Sequence, residues 1–275
     1  MNTTASTAAI GVFDSGVGGL SVLRAIRQLL PHEQLLYVAD SAHAPYGERH
    51  PEYIERRSMI IAQFLRLQPV KAIVVACNTA SVIAIESLRK DLDIPIVGIE
   101  PAIKPAAELT RSGVVGVMAT SATVQSDNVK RLCELYARDT KIILQPCPGL
   151  VERIERADLD GPKTISLLDE YLNPMLDAGA DTIVLGCTHY PFVAPTIQQR
   201  VADSVSIIEP GAAVARQLRR RLEARSLLLG KSVVGVANSA QSLETFFSTA
   251  SMGTSAKAIS ALWGKPVAVR YLKNL

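Results

Sequence analysis

The sequence predicts an α/β fold of two similar, doubly wound parallel-sheet lobes related by pseudo-symmetry, with the functional site in the cleft between them. Three observations predict it. Short apolar runs alternate with amphipathic helical stretches along most of the 275 residues, the pattern of parallel sheets with helices on both faces. The run Ala72 to Ala76 lacks any apolar/polar alternation, as expected of a strand buried on both faces. An internal repeat of about 105 to 110 residues duplicates the pattern, which is too long for a solenoid unit and reads as a duplicated domain.

Taken in order, Met1 to Ala9 is Thr/Ser/Ala-rich without basic residues or an apolar core, so it reads as a frayed tail and not as a signal or transit peptide. Ile10 to Phe13 is the first expected strand. Asp14 to Gly19 forms a turn, and Leu20, Leu23, Ile26 and Leu30 make the inward face of a helix that Pro31 stops. Leu35 to Ala39 is the second strand, followed by a polar loop through Ser41, Pro45, Tyr46, Gly47 and Glu48. A helix over about Glu52 to Leu67 leads to the strand at Ala72 to Ala76. Further strands are expected at Ile94 to Ile99, Val114 to Met118, Lys141 to Gln145, Thr182 to Gly186 and Ser204 to Ile208. In open parallel sheets ligands bind beyond the carboxyl ends of the strands. Chemistry is therefore sought in those loops.

The repeat has three landmarks in order. Gly11-Val12-Phe13-Asp14-Ser15 aligns with Gly116-Val117-Met118-Ala119-Thr120, and Ile73 to Thr79 aligns with Ile183 to His189. Glu100-Pro101 follows Cys77 by 23 residues, and Glu209-Pro210 follows Cys187 by 22. These landmarks place the lobe crossings at the two Glu-Pro segments. Residues 1–98 plus 209–275 are expected to form one lobe and 99–208 the other.

Hydrophobic residues make up 48% and charged residues 20%, which fits an ordinary globular chain and not a disordered or coiled-coil one. A net charge of +3 is too small and too dispersed to suggest nucleic-acid binding. No apolar run approaches a membrane span. The four cysteines have no C-x-x-C spacing and no export signal before them, so reduced thiols in the cytoplasm are expected.

Cys77 and Cys187 each follow an expected buried strand at matched repeat positions, so the duplication sets two thiols facing one another across the cleft. Asn78 and Thr79 after one, Thr188 and His189 after the other, open helices whose amide donors favour anions. Two acid/base groups on opposite faces of one carbon are what inversion of configuration requires: one removes the proton, the other delivers a new one from behind. Buried cysteines often merely fill space, but packing alone gives no reason to match two strand ends in chemistry and in flanking polar residues. Cys133, beside Leu132 and Leu135, and Cys147, before Pro148, are read as packing residues.

The motifs Phe13-Asp14-Ser15-Gly16-Val17-Gly18-Gly19-Leu20, Pro45-Tyr46-Gly47, Ala76-Cys77-Asn78-Thr79-Ala80, Gly98-Ile99-Glu100-Pro101 and Gly186-Cys187-Thr188-His189-Tyr190-Pro191 together resemble those of the bacterial glutamate racemases of the aspartate/glutamate racemase family. The resemblance runs from Gly11 to about Gly211. It implies cofactor-independent interconversion of L- and D-glutamate, supplying D-glutamate for peptidoglycan, with Cys77 and Cys187 as the two bases. Carried over by position, it makes Asp14 and Ser15 contacts to the substrate amino group, with Asp14 also assisting Cys77. Tyr46 and Gly47 match the substrate loop; read without the resemblance, they form a Pro-x-Gly turn. Asn78, Thr79 and Thr188 would donate to the carboxylates, and His189 would assist Cys187. The family's glutamate after a Cys-Pro segment falls on Glu155 or Glu152, with Glu155 favoured. From about Ser226 onward, through Asn238, Phe246, Ser255 and Trp263, the family pattern is followed only loosely.

Competing motifs fail on spacing. Gly16-Val17-Gly18-Gly19 lacks the third glycine of a dinucleotide fingerprint, and Gly230-Lys231-Ser232 lacks the upstream glycine of a P-loop. No Cys/His set completes a zinc site around Cys187 and His189, so no metal is expected. A Cys-His hydrolase would leave the second cysteine unexplained. Arg216, Arg219, Arg220, Arg221 and Arg225 read as a solvated helix face. General acid/base help alone is worth about 10² to 10⁴, so donors that stabilise the carbanion must supply much of the rate. The expected partner is a small-molecule substrate, with neither nucleic acid nor membrane, and a homodimer is left open. The alternatives are a racemase or isomerase acting on aspartate or another small acid, and a non-catalytic binding module.

Overall fold

The computed structural model describes residues 7–136, 139–229, 242–273 and 275, and among these the strands form two fully parallel sheets. The first half of the chain supplies β1 (Ala9–Asp14), β2 (Leu35–Ala39), β3 (Val70–Val75) and β4 (Ile96–Val97). The second supplies β5 (Val114–Ala119), β6 (Lys141–Pro146), β7 (Thr182–Leu185) and β8 (Ser206–Ile208). β9 (Glu244–Ser248) and β10 (Val269–Tyr271) return to the first sheet, whose order is β10-β9-β2-β1-β3-β4, while the second runs β6-β5-β7-β8.

The order β2-β1-β3-β4 is thus repeated as β6-β5-β7-β8, with β1 matched to β5 and β3 to β7 as the sequence repeat aligns them. The two sheets with their flanking helices give the expected mixed α/β architecture. The matched glycines in β1 and β5 have a shared reason. A Cβ on Gly11 would meet the Leu65 side chain at 3.1 Å, and one on Gly116 would meet Met175 Sδ at 2.4 Å, so at both glycines a helix side chain lies close against the central strand.

The helices are α1 (Leu20–Leu29), α2 (Pro51–Arg66), α3 (Asn78–Asp91), α4 (Ile103–Leu109), α5 (Ser121–Gln125), α6 (Asp127–Tyr136), α7 (Leu150–Glu155), α8 (Pro162–Asp177), α9 (Ala194–Gln198), α10 (Gly211–Ala224) and α11 (Met252–Trp263). Each long helix buries one stripe. In α1 the stripe is Leu20, Val22, Leu23 and Ile26, and in α10 it is Val214, Ala215, Leu218 and Leu222, the spacing of an amphipathic helix. These two stripes pack together. Arg216, Arg219, Arg220, Arg221 and Arg225 accordingly face solvent. β3 is buried along its whole length, and its one charge, Lys71, pairs with Glu33 at 2.5 Å.

Several expected strands differ at their ends. Ala9 belongs to β1 and is buried, and so is not part of a frayed tail. The run Ile94 to Ile99 yields only two paired residues, because Pro95 has no N–H to donate and contributes only its carbonyl, to Ile73 N at 2.9 Å. Ser204 and Val205 form a turn before β8. Residues 1–6, Asn238 and the Gly230-Lys231-Ser232 segment lie outside the described residues. No helix among the described residues is long and apolar enough to cross a membrane.

Candidate active site

The two matched cysteines stand one residue beyond two equivalent backbone hydrogen bonds. Ala76 N donates to Phe13 O and Gly186 N donates to Met118 O, each at 2.7 Å. Each bond ties the residue before a cysteine to the neighbouring central strand, so each thiol leaves its sheet at the same point. Both cysteines are buried, and Cys187 is close enough to Cys77 to weigh on it electrostatically.

Cys77 caps α3: Ala80 N donates to its Sγ at 3.4 Å, and the thiol donates to Ser15 Oγ at 3.6 Å. Ser15 Oγ in turn donates to Asp14 Oδ1 at 3.0 Å, and Gly16 N donates to the same oxygen at 2.7 Å. Asp14 therefore reaches Cys77 through Ser15. Burial, and next the Asp14 charge, push the Cys77 thiol up to about 12, which favours the protonated sulfur in the substrate-free protein. Burial also raises Asp14, against the opposing pull of His189 and of its bonds to Thr188 and Gly16.

Cys187 has a different partner set. Its Sγ is 3.7 Å from His189 Nδ1, and His189 Nε2 is 2.6 Å from Glu155 Oε1. Burial works against the imidazolium, but the contacts to Cys187 and Glu155 together outweigh it and raise His189 well above its usual range. A protonated imidazole thus stands beside the second sulfur, held in place by a carboxylate on the far side.

Glu155 Oε1 also accepts from Val17 N at 2.7 Å. Thr188 Oγ1 donates to Asp14 Oδ2 at 2.7 Å, and Ser21 Oγ donates to Thr188 O at 2.8 Å. The turn after β1 is therefore clasped to the loop after β7. Glycine makes this clasp possible: a Cβ on Gly18 would lie 2.3 Å from His189 Nδ1. Gly18→Ala is expected to displace the buried ring and slow the interconversion that the sequence resemblance implies about 10²-fold, the order seen when a reacting group is misplaced by an ångström. A variant at the wild-type rate in a polarimetric assay contradicts this.

Asn78, 2% exposed, has neither Nδ2 nor Oδ1 hydrogen-bonded. An unmet buried polar atom costs about 1–3 kcal/mol, which a hydrogen-bonding ligand would recover. Thr79 Oγ1 lies 3.0 Å from Thr120 Oγ1 and 3.4 Å from Thr123 Oγ1. Thr120 and Thr123 were not anticipated as site residues, although the repeat aligns Thr120 with Ser15. Tyr46, in the loop matched to the substrate motif, donates its hydroxyl to Asp40 Oδ2 at 2.5 Å. Gly47 packs against Thr120, where an added Cβ would approach Thr120 Cβ to 2.7 Å. Of the two candidate glutamates, Glu155 bonds His189, and both Glu155 and Glu152 line a cavity of about 210 Å³ with Val17, Pro45 and Val151 at the edge of the clasp. A larger cavity of about 600 Å³, among α3, α4, α6 and α10, is lined by neither cysteine. Cys147 is buried and donates to Gln145 O at 3.3 Å, a polar partner its sequence context did not suggest; Cys133 packs partly buried against the β5–β7 core.

A strand-end thiol pair with flanking acid/base groups and unmet amide donors fits proton transfer at a carbon next to a carboxylate. Comparison with known proteins agrees. The family model for Asp/Glu/hydantoin racemases matches residues 10–218. The glutamate racemase of Stutzerimonas stutzeri is 49% identical over 268 residues, covering 97% of this chain and 98% of that protein. Among solved structures, the glutamate racemase isoform RacE1 from Bacillus anthracis superposes with a TM-score of 0.82 at 31% identity over 97% of this chain and 98% of that one. The Escherichia coli glutamate racemase, solved with L-glutamate and the activator UDP-MurNAc-Ala, gives 0.81 at 33% identity over 96% and 98%. The chain therefore belongs to the Asp/Glu/hydantoin racemase family, on the side of its full-length glutamate racemase relatives.

Proposed function

We propose that the protein interconverts L- and D-glutamate by a two-base mechanism in which Cys77 and Cys187 act on opposite faces of the α-carbon. The observation that carries this reading is the matched pair of strand-end thiols, each with its own proton-handling chain: Ser15 and Asp14 behind Cys77, His189 and Glu155 behind Cys187. One sulfur, as thiolate, takes the α-proton; the C–H electron pair passes into the α-carboxylate system; the other sulfur gives its proton to the opposite face. The thiol and thiolate have then exchanged places, ready for the reverse reaction. The unmet Asn78 amide, with Thr79, Thr120 and Thr123, supplies donors for the substrate carboxylates, where charge accumulates in the transition state. Asp14 and Ser15 hold the amino group, Thr188 contributes a further donor, and the backbone at Tyr46 and Gly47 closes the site.

The division into lobes of residues 1–98 plus 209–275 and 99–208 belongs to the same reading, since it puts one sheet in each lobe and the site at their junction. So do supply of D-glutamate for peptidoglycan and a cytoplasmic location, while light scattering decides between monomer and homodimer. The decisive experiment follows the α-proton of L-glutamate in D2O by NMR. Exchange with build-up of D-glutamate is expected. Exchange with L-aspartate but not L-glutamate would replace the substrate, and no exchange with either would leave a binding module.

A further inference from the structure

We propose that Arg57 is a positioning residue for this site: through Asp40, its guanidinium fixes the Tyr46-Gly47 loop against Thr120. The inference rests on reading that loop as part of the glutamate site. Arg57 stands on the inward stripe of α2 among Ile54, Ser58 and Ile61, a place where a charge is retained only if it is fully partnered. It is 5% exposed, and Asp40, the residue after β2, is 0% exposed.

The pair is bidentate. Arg57 Nη2 donates to Asp40 Oδ1 at 2.8 Å and Arg57 Nε donates to Oδ2 at 3.0 Å, the fork geometry that only an arginine offers a carboxylate. The two remaining acceptor positions are taken as well. Thr249, just after β9, donates to Oδ1 at 2.9 Å, and the Tyr46 hydroxyl donates to Oδ2 at 2.5 Å. Asp40 is thereby committed on both oxygens. Its job is to hold Tyr46. Arg57 Nη1 also donates to Leu275 O at 3.0 Å, which anchors the guanidinium from behind.

Gly47, next to the held phenol, abuts Thr120, and Thr120 Oγ1 is 3.0 Å from Thr79 Oγ1. A shift of the Tyr46 ring is therefore passed to the hydroxyl pair read as a carboxylate clamp. The hydrogen bonds of the two cysteines run to Ser15, Ala80 and His189 and not through this chain, while Cys77 lies close enough to Tyr46 to weigh on it electrostatically. Loosening the chain should weaken substrate binding more than proton transfer.

Steady-state racemisation kinetics of the full chain, with thermal melting alongside, test this. Arg57→Met is expected to raise KM for glutamate about tenfold, the order of one lost charge-assisted hydrogen bond, with kcat changed by less than about threefold. Arg57→Lys keeps the charge without the fork and should recover part of the loss. Tyr46→Phe should raise KM in the same direction, and Arg57→Met combined with Tyr46→Phe should be no worse than Arg57→Met alone, because both break one chain. A wild-type KM in Arg57→Met, a fall confined to kcat, or multiplying effects in the double variant would overturn the inference. Should Arg57→Met not fold, wild-type KM values in both Arg57→Lys and Tyr46→Phe overturn it instead. Absence of glutamate turnover in the wild-type protein overturns the reading of the site, and the inference with it.

Discussion

Removing either sulfur, as Cys77→Ala or Cys187→Ala, is expected to abolish interconversion of the glutamate enantiomers, lowering kcat by about 10⁴-fold, the upper range for loss of a general acid/base group. The double variant should be little worse than either single one, because groups acting in one proton relay are grossly non-additive. Circular dichroism of glutamate solutions reads the rate. Exchange of the α-proton into D2O should discriminate further: with one sulfur left, any residual exchange is confined to one enantiomer, since only one face of the carbon retains a base. Cys133→Ala, on α6 and away from the thiol pair, should race at the wild-type rate. A fully active single variant at position 77 or 187 would replace two bases by one and sink the mechanism.

The two halves of the relay are unequal, and the inequality follows from their neighbours. Cys77 is flanked by a hydroxyl and a buried carboxylate, and its thiol is pushed up to about 12 by burial and the Asp14 charge. His189, held well above its usual range, puts a positive charge 3.7 Å from Cys187 Sγ. Without substrate, this arrangement favours a proton on Cys77 and a proton on His189. The bound ammonium group, near Asp14 in the proposed pose, adds a positive charge on the Cys77 side and would offset the asymmetry.

Much of this was legible in the sequence because duplication wrote it twice. The strands β1, β3, β5 and β7 are apolar, and the same Gly, Cys and Glu-Pro landmarks recur in register, so both the paired sheets and the thiol pair emerge from one alignment. Glu155 was harder, since only the structure shows which of two acidic residues on one short helix turns to His189. Thr120 was present in the repeat as the partner of Ser15 and carried a usable signal. The β9 and β10 strands were not legible: they are short, β9 pairs with β2 across some 200 residues of chain and β10 adds on to β9, contacts that local periodicity cannot reveal. Arg57 was visible in principle as a charge on an apolar helical stripe, but its partner Asp40 comes from another loop, and only the fold brings the two together.

The protonation of His189 gives the second large effect. Its folded pKa lies well above its ordinary value of 6.5. The contacts to Cys187 and Glu155 therefore contribute stability that is fully present below about pH 6.5 and is lost as pH rises through the folded value. The proton on His189 also serves the proposed reaction, as the counter-charge and proton reserve for Cys187, so kcat should fall over the same alkaline window. Glu155→Gln keeps an acceptor for Val17 N but removes the charge that holds the imidazolium. The variant is expected to lower kcat near neutral pH by roughly 10- to 100-fold, equivalent to a lost charged hydrogen bond of about 1.5–3 kcal/mol. Its alkaline limb should begin at lower pH than in the wild-type protein, because one of the two groups that raise His189 is gone. Parallel pH–rate profiles and an NMR titration of the His189 ring check both parts. If Glu155→Gln slows the enzyme while the alkaline limb and the imidazole titration stay where they were, Glu155 holds the loop and not the proton, and the second half of the relay must be assigned differently.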